Sequence, residues 1–131
     1  MTDAPSTRPL LDKLGIKAHH TVVLLRITDG AFVESVKGRA ERVTTRRTRN
    51  ADVIVLGCHE PNDLARIATL KPDLARDGSL WVVRPKGPKA TGPTESDTRR
   101  AGLDAGLVDV KVVSFSDTHS ALKYVYRLRD R

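Results

Sequence analysis

Three short apolar runs constrain this chain more than anything else in it. Residues 21–27 read Thr-Val-Val-Leu-Leu-Arg-Ile, residues 51–57 read Ala-Asp-Val-Ile-Val-Leu-Gly, and residues 79–83 read Ser-Leu-Trp-Val-Val. Each is too short for an amphipathic helix, and all are rich in β-branched residues or leucine. A strand with one wet face would alternate apolar with polar positions; these do not, so each is expected to bury both faces. Strands of that kind belong to parallel sheets covered by helices on both sides. The chain has 131 residues, 39% of them hydrophobic. That length suits one core rather than two, so residues 10–131 are expected to form a single α/β domain.

The segments between the runs supply the covering helices. Pro9, Leu10, Leu11 and Leu14 before Gly15 predict one or two helical turns with proline at the start and glycine past the end. Between the second and third runs, Pro61 suits a first turn, Leu64, Ile67, Leu70 and Leu74 recur at helical spacing, and Gly78 closes the segment. Pro72 within it predicts a kink or two short helices. Residues 85–93 hold three prolines and two glycines and are expected to loop. Thr94-Glu95-Ser96-Asp97 then forms a capping box for a helix running to Ala105 and stopping at Gly106. Towards the end the period changes to two. Residues 110–115 and the alternating stretch 121–128 are expected to pair as an antiparallel hairpin. Residues 38–50 are the least readable: Val43-Thr44-Thr45 could be a short strand, but arginines crowd around it. The polar stretch 1–9 offers nothing to offset the entropy of ordering it and is expected to be a flexible tail.

Composition narrows the setting. Lys plus Arg number 23 against 16 Asp plus Glu, a formal charge of +7, which raises polyanions as partners. The single cysteine, Cys58, excludes an intramolecular disulfide framework and suits a reducing compartment. No apolar stretch reaches the ~18 residues of a membrane span. The start lacks the apolar segment of a signal peptide, so no membrane association and a cytoplasmic location are expected.

The order strand, variable region, strand, helix, strand, helix and closing strand pair resembles a shortened class I methyltransferase-like Rossmann domain. At the residue level, residues 9–16 (Pro-Leu-Leu-Asp-Lys-Leu-Gly-Ile), residues 77–82 (Asp-Gly-Ser-Leu-Trp-Val) with Pro85-Lys86, residues 106–112 (Gly-Leu-Val-Asp-Val-Lys-Val) and residues 120–123 (Ser-Ala-Leu-Lys) resemble a small bacterial family, domain of unknown function family 3052. The resemblance covers nearly the whole chain from Pro9. It implies a three-layer Rossmann-like fold, mostly parallel and ending in an antiparallel hairpin, but no particular chemistry. Active methyltransferases follow the first strand with a glycine-rich turn that lets backbone amides approach the cofactor. Here Arg26-Ile27-Thr28-Asp29-Gly30-Ala31-Phe32 holds one glycine. On that ground S-adenosylmethionine is disfavoured, and a non-catalytic binding or regulatory domain is expected ahead of a methyltransferase-like enzyme.

Candidate site residues follow from where such sheets bind ligands, at the carboxyl ends of their strands. Thr28, Asp29 and Gly30 follow the first run, Cys58 and His59 the second, and Lys86 the third; together they mark the expected crevice, with Asp29 able to accept ribose hydroxyls. A Cys58 thiolate with His59 as base is not expected, because neighbours at a strand end point in different directions. Asp117 and His119 are read as turn residues of the hairpin. The adjacent His19 and His20 lack metal-ligand spacing, so no metal is expected. Residues 37–49 hold Arg39, Arg42, Arg46, Arg47 and Arg49, which could contact phosphates of a nucleic acid. Only five aromatics accompany them and no helix-turn-helix or zinc-finger spacing does, so a solvated basic loop or weak polyanion association is expected.

Overall fold

The computed structural model describes residues 9–131; apart from Pro9, the expected tail lies outside the described residues. In chain order the elements are α1 (Leu10–Lys13), β1 (Thr21–Leu25), α2 (Gly30–Arg39), β2 (Arg42–Thr44), β3 (Ala51–Gly57), α3 (Arg66–Leu70), β4 (Leu74–Pro85), α4 (Glu95–Asp104), β5 (Leu107–Ser114) and β6 (His119–Tyr126), with short 3-10 turns on either side of α3. They build one six-stranded Rossmann-like sheet in the order β2-β1-β3-β4-β6-β5. β2, β1, β3 and β4 are parallel, and β6 runs antiparallel to both β4 and β5.

The doubly buried character read from the three runs divides by residue parity. Val22, Leu24, Val53, Val55, Trp81 and Val83 pack against Leu11, Leu14, Ile16, Phe32 and Val36 of the α1 and α2 layer. Their neighbours Val23, Ile54, Leu56, Leu80 and Val82 face the other way, with Ile67, Leu70 and Leu107. Successive strand side chains alternate faces, so a run apolar at every position feeds two cores at once. Each fully buried Val, Leu or Ile contributes roughly 1.5–3 kcal/mol relative to exposure.

Local signals hold at several boundaries. Thr94 Oγ1 accepts the Asp97 amide at 3.0 Å and the Asp97 carboxylate accepts the Thr94 amide at 3.3 Å, so the expected capping box starts α4. α4 ends just before Gly106. Four differences separate the structure from these expectations. β1 stops at Leu25 rather than Ile27, because Arg26 adopts a left-handed φ of 58° that turns the chain out of the sheet. Residues 30–39, unassigned in the sequence, form α2: Phe32 and Val36 are its only fully buried side chains, too narrow a stripe to stand out, and Asp29 caps it by accepting the Phe32 amide at 3.0 Å. The helical segment between β3 and β4 ends early. Leu74, expected on its apolar face, instead begins β4 opposite Ala51, because Pro72 cannot continue the helical hydrogen bonds. Gly78 therefore lies inside a strand rather than closing a helix; a Cβ there would sit 2.8 Å from the Asp52 carbonyl oxygen. Finally, the hairpin strands begin earlier than expected, and Leu128 falls beyond β6, 80% exposed.

The connection from β2 to β3 positions much of the basic stretch. It must pass β1 to reach the far side of that strand, and residues 45–50 do so without a helix. β1 is therefore covered on this face by an arginine-rich crossover.

Candidate functional site

Parallel strands in this order leave a crevice where their carboxyl ends diverge, and β6 extends it, because an antiparallel strand begins where its parallel neighbour ends. Pro85 at the end of β4 pairs with His119 at the start of β6. The resulting cleft, about 300 Å³, is walled by Arg26, Ile27, Thr28 and Asp29 after β1, Gly57 and His59 at β3, Val83 of β4, and Phe115, Ser116, Thr118 and His119 of the hairpin. Ile27, Val83 and Phe115 give it apolar surface, and Phe115 is fixed edge-on against Phe32 at 4.8 Å between ring centres.

The polar groups are held by local geometry. Asp29 uses Oδ1 to cap α2, whose amino end, with its unpaired amides and partial positive charge, thus starts at the cleft. At His59, the amide donates to Asp63 Oδ2 at 3.0 Å, and the loop at Gly92 lies against the carbonyl so closely that a Cβ there would be 2.3 Å away. Its ring meets that of His119 edge-on, 5.6 Å between centres. The amides of Thr118 and His119 donate to Ser116 Oγ at 3.3 and 3.1 Å, and the Thr118 hydroxyl lies 2.8 Å from His119 Nδ1. Burial, then the neighbouring His59 and Lys86, lowers the His119 pKa, which favours a neutral imidazole in the cleft wall. Burial works against the charged form of Asp63, but amides of Glu60 and His59, followed by Arg26 and Arg66, outweigh it and lower its pKa.

The turn after β1 is made without the glycines the sequence reading looked for. Arg26 supplies the left-handed residue, and Gly57 across the sheet supplies the space: a Cβ at 57 would lie 2.3 Å from the Arg26 carbonyl oxygen. Counting glycines in residues 26–32 thus misjudged the turn, because the residue that must be small belongs to the neighbouring strand.

Of the residues proposed from sequence, Thr28, Asp29 and His59 line one cleft. Gly30 is the first residue of α2 beside it. Lys86 borders the cleft without lining it: its amide donates to the Thr118 carbonyl at 2.9 Å and its Nζ to Ser114 Oγ at 2.8 Å. Cys58 lies in the core against the α3 and α4 side, fully buried, and burial pushes its thiol up to about 12. It is expected to resist iodoacetamide in the folded protein at about pH 8 and to react only on unfolding, as followed by intact mass; rapid labelling without denaturant would contradict its place in the core. Sequence reading missed Arg26, Gly57, Ser116, Thr118 and His119. The last three sat in an apparent hairpin turn, and only the pairing of β6 with β4 brings them to the strand ends.

The arginines of residues 37–49 do not form one patch. Arg39 pairs with Asp12 at 2.5 Å on the α1 side, whereas Arg47 pairs with Asp73 at 2.8 Å on the α3 side, across the sheet. Arg42 lies on the edge strand β2, and Arg46 and Arg49 are exposed in the crossover. Among the described residues, no helix is long and apolar enough to cross a membrane.

No family model matches the chain, and no curated protein does. Solved structures do. A candidate type 11 methyltransferase from Sulfolobus solfataricus shares the fold over 97% of this chain and 94% of its own, with a TM-score of 0.69 and 15% identity. The complex of DhpI with S-adenosylhomocysteine (SAH) covers 92% of this chain and 83% of its own, with a TM-score of 0.68 and 12% identity. A SAM-dependent methyltransferase from Aquifex aeolicus covers 88% and 86%, with a TM-score of 0.63 and 13% identity. The sheet is therefore of the methyltransferase-like kind. These neighbours overturn the expectation that disfavoured S-adenosylmethionine, since the same fold occurs in a SAM-dependent methyltransferase and in a protein solved with the demethylated cofactor.

Proposed function

We propose that the strand-end cleft binds S-adenosylmethionine, and that this chain is a methyltransferase-like domain rather than the non-catalytic domain its glycine count suggested. The observation that carries the proposal is the cleft itself, which combines an apolar wall with a carboxylate at a helix amino end. Sites for small organic ligands have this composition, and open α/β sheets form them at this position.

The residues present fit such a ligand. Asp29 Oδ2, which the helix cap does not use, would accept the hydroxyls of a ribose. Ile27, Val83 and Phe115 would cover a flat base and exclude water. His119, held neutral, would meet an uncharged polar group without adding a charge to the cleft. When bound, S-adenosylmethionine supplies a methyl group activated on a positively charged sulfur. The methyl-accepting substrate would enter from the open side of the cleft, and binding without transfer would mark the regulatory alternative.

Calorimetry with S-adenosylmethionine and SAH tests the reading. Both are expected to bind with micromolar affinity, and Asp29→Asn is expected to weaken them about tenfold. Asparagine caps a helix as well as aspartate does, so α2 should be kept while the anionic acceptor is lost. Absence of binding by either ligand would overturn the proposal.

A further inference from the structure

On the opposite side of Arg26 from the cleft, a second concavity of about 240 Å³ opens between the end of β1, the crossover 45–50 and α3. It exists because that crossover carries no helix. Leu25, half-buried, is the leucine it exposes, over the buried Leu56 and Leu70, and its rim comes from Arg26, Arg47 and Arg66. Three guanidiniums on so small a hollow require an account of their charge.

Two carboxylates stand near them, and only one is firmly engaged. Arg47 donates to Asp73 at 2.8 and 3.4 Å and to the Thr69 carbonyl at 3.4 Å, which anchors it across the rim. Arg26 and Arg66 approach Asp63 only to 3.7 and 3.9 Å, too far for hydrogen bonds. Asp63 turns Oδ1 towards both, while its Oδ2 accepts the amides of His59 and Glu60, each at 3.0 Å. The rim therefore keeps an excess positive charge and two guanidiniums whose donors Asp63 does not satisfy. Arg26 moreover holds a left-handed backbone conformation that a non-glycine residue adopts at a cost, and Gly57 makes room for it.

We propose that this hollow is a binding site for a small organic anion, a phosphate monoester or carboxylate carried on an aromatic-sized apolar body. The guanidiniums of Arg26 and Arg66 take the anion and the half-buried Leu25 takes the body. An inorganic ion would leave Leu25 uncovered, and a neutral ring would leave the charge unanswered. Arginine suits the first task because its planar fork matches carboxylate and phosphate oxygens two at a time. The hollow shares Arg26 with the proposed methyl-donor cleft, but its other lining residues are its own and the proposal does not rest on that reading.

Titration of the whole chain with phenyl phosphate, benzoate, inorganic phosphate and benzyl alcohol, followed by amide chemical shifts, tests this. Phenyl phosphate or benzoate is expected to saturate, with shifts at Arg47, Arg66 and Thr69, and to bind more tightly than inorganic phosphate or benzyl alcohol. Arg66→Gln should weaken it about tenfold, the loss of one charge-assisted contact. Arg46→Gln, a neighbouring exposed arginine outside the hollow, should leave it unchanged. Arg66→Gln should also leave SAH binding unchanged, which separates failure of this site from failure of the cleft. Saturation by neither aromatic anion would overturn the proposal, and so would an equal loss in Arg46→Gln. An oligothymidylate that binds through Arg46 and Arg49 while both aromatic anions fail to saturate would overturn it in favour of nucleic acid.

Discussion

Replacing Trp81 by alanine is expected to destabilise the protein by about 3–5 kcal/mol, the range for emptying a buried aromatic site. The ring is wholly inaccessible at the centre of β4 and packs into the core beneath α1 and α2. Its Nε1–H donates to the Leu14 carbonyl oxygen at 3.1 Å, so one side chain both fills the core and ties down the end of α1. Alanine would leave a cavity and a buried carbonyl without its donor. For a domain whose total stability is on the order of 5–15 kcal/mol, that is about a fifth of the whole or more. Urea denaturation monitored by circular dichroism measures it, as a lower midpoint at similar slope. A loss below about 1 kcal/mol would mean that the ring is not a core element.

Gly57→Ala is expected to cost about 3 kcal/mol, the upper part of the usual range for overpacking, because the added methyl meets backbone rather than a yielding side chain. Its Cβ would stand 2.3 Å from the Arg26 carbonyl oxygen and 3.2 Å from the carbonyl carbon. Relief requires β1 and β3 to part at their carboxyl ends, which moves Arg26 and widens the cleft. The same substitution at Gly38, exposed in α2 with nothing within 4 Å of its Cβ position, should instead stabilise by roughly 0.5–1 kcal/mol through helix propensity. Opposite signs from one chemical change are the diagnostic, again by denaturation midpoints. Equal effects at the two positions would show that the strand-end contact is not as tight as described.

How far the sequence reached depended on how local the controlling physics was. The β1, β3 and β4 runs were legible because burial on both faces leaves their central positions apolar without alternation, and the start of α4 because a capping box acts within four residues. α2 escaped notice because two buried side chains one turn apart make no periodic stripe. The start of β4 at Leu74 was misread because a leucine at helical spacing pairs instead with Ala51, a partner remote in sequence. The candidate site was partly legible for the same reason: Thr28, Asp29 and His59 follow strands that could be recognised. Ser116, Thr118 and His119 reach the cleft only because β6 inserts beside β4. The glycine that shapes the first turn could not be found in that turn, because it lies on another strand. The basic stretch, read as one solvated loop, is divided by the sheet, and Arg39 and Arg47 pair with different carboxylates on its two faces.

The most direct measurement of the central claim is an amide chemical-shift titration of the isotopically labelled chain with SAH. The account predicts saturable shifts at residues 26–30, at Gly57 and His59, and at Ser116, Thr118 and His119, with little change at Arg47, Thr69 or Lys71 on the α3 side. No saturable shift, or shifts concentrated away from the carboxyl ends of β1, β3 and β4, would contradict it.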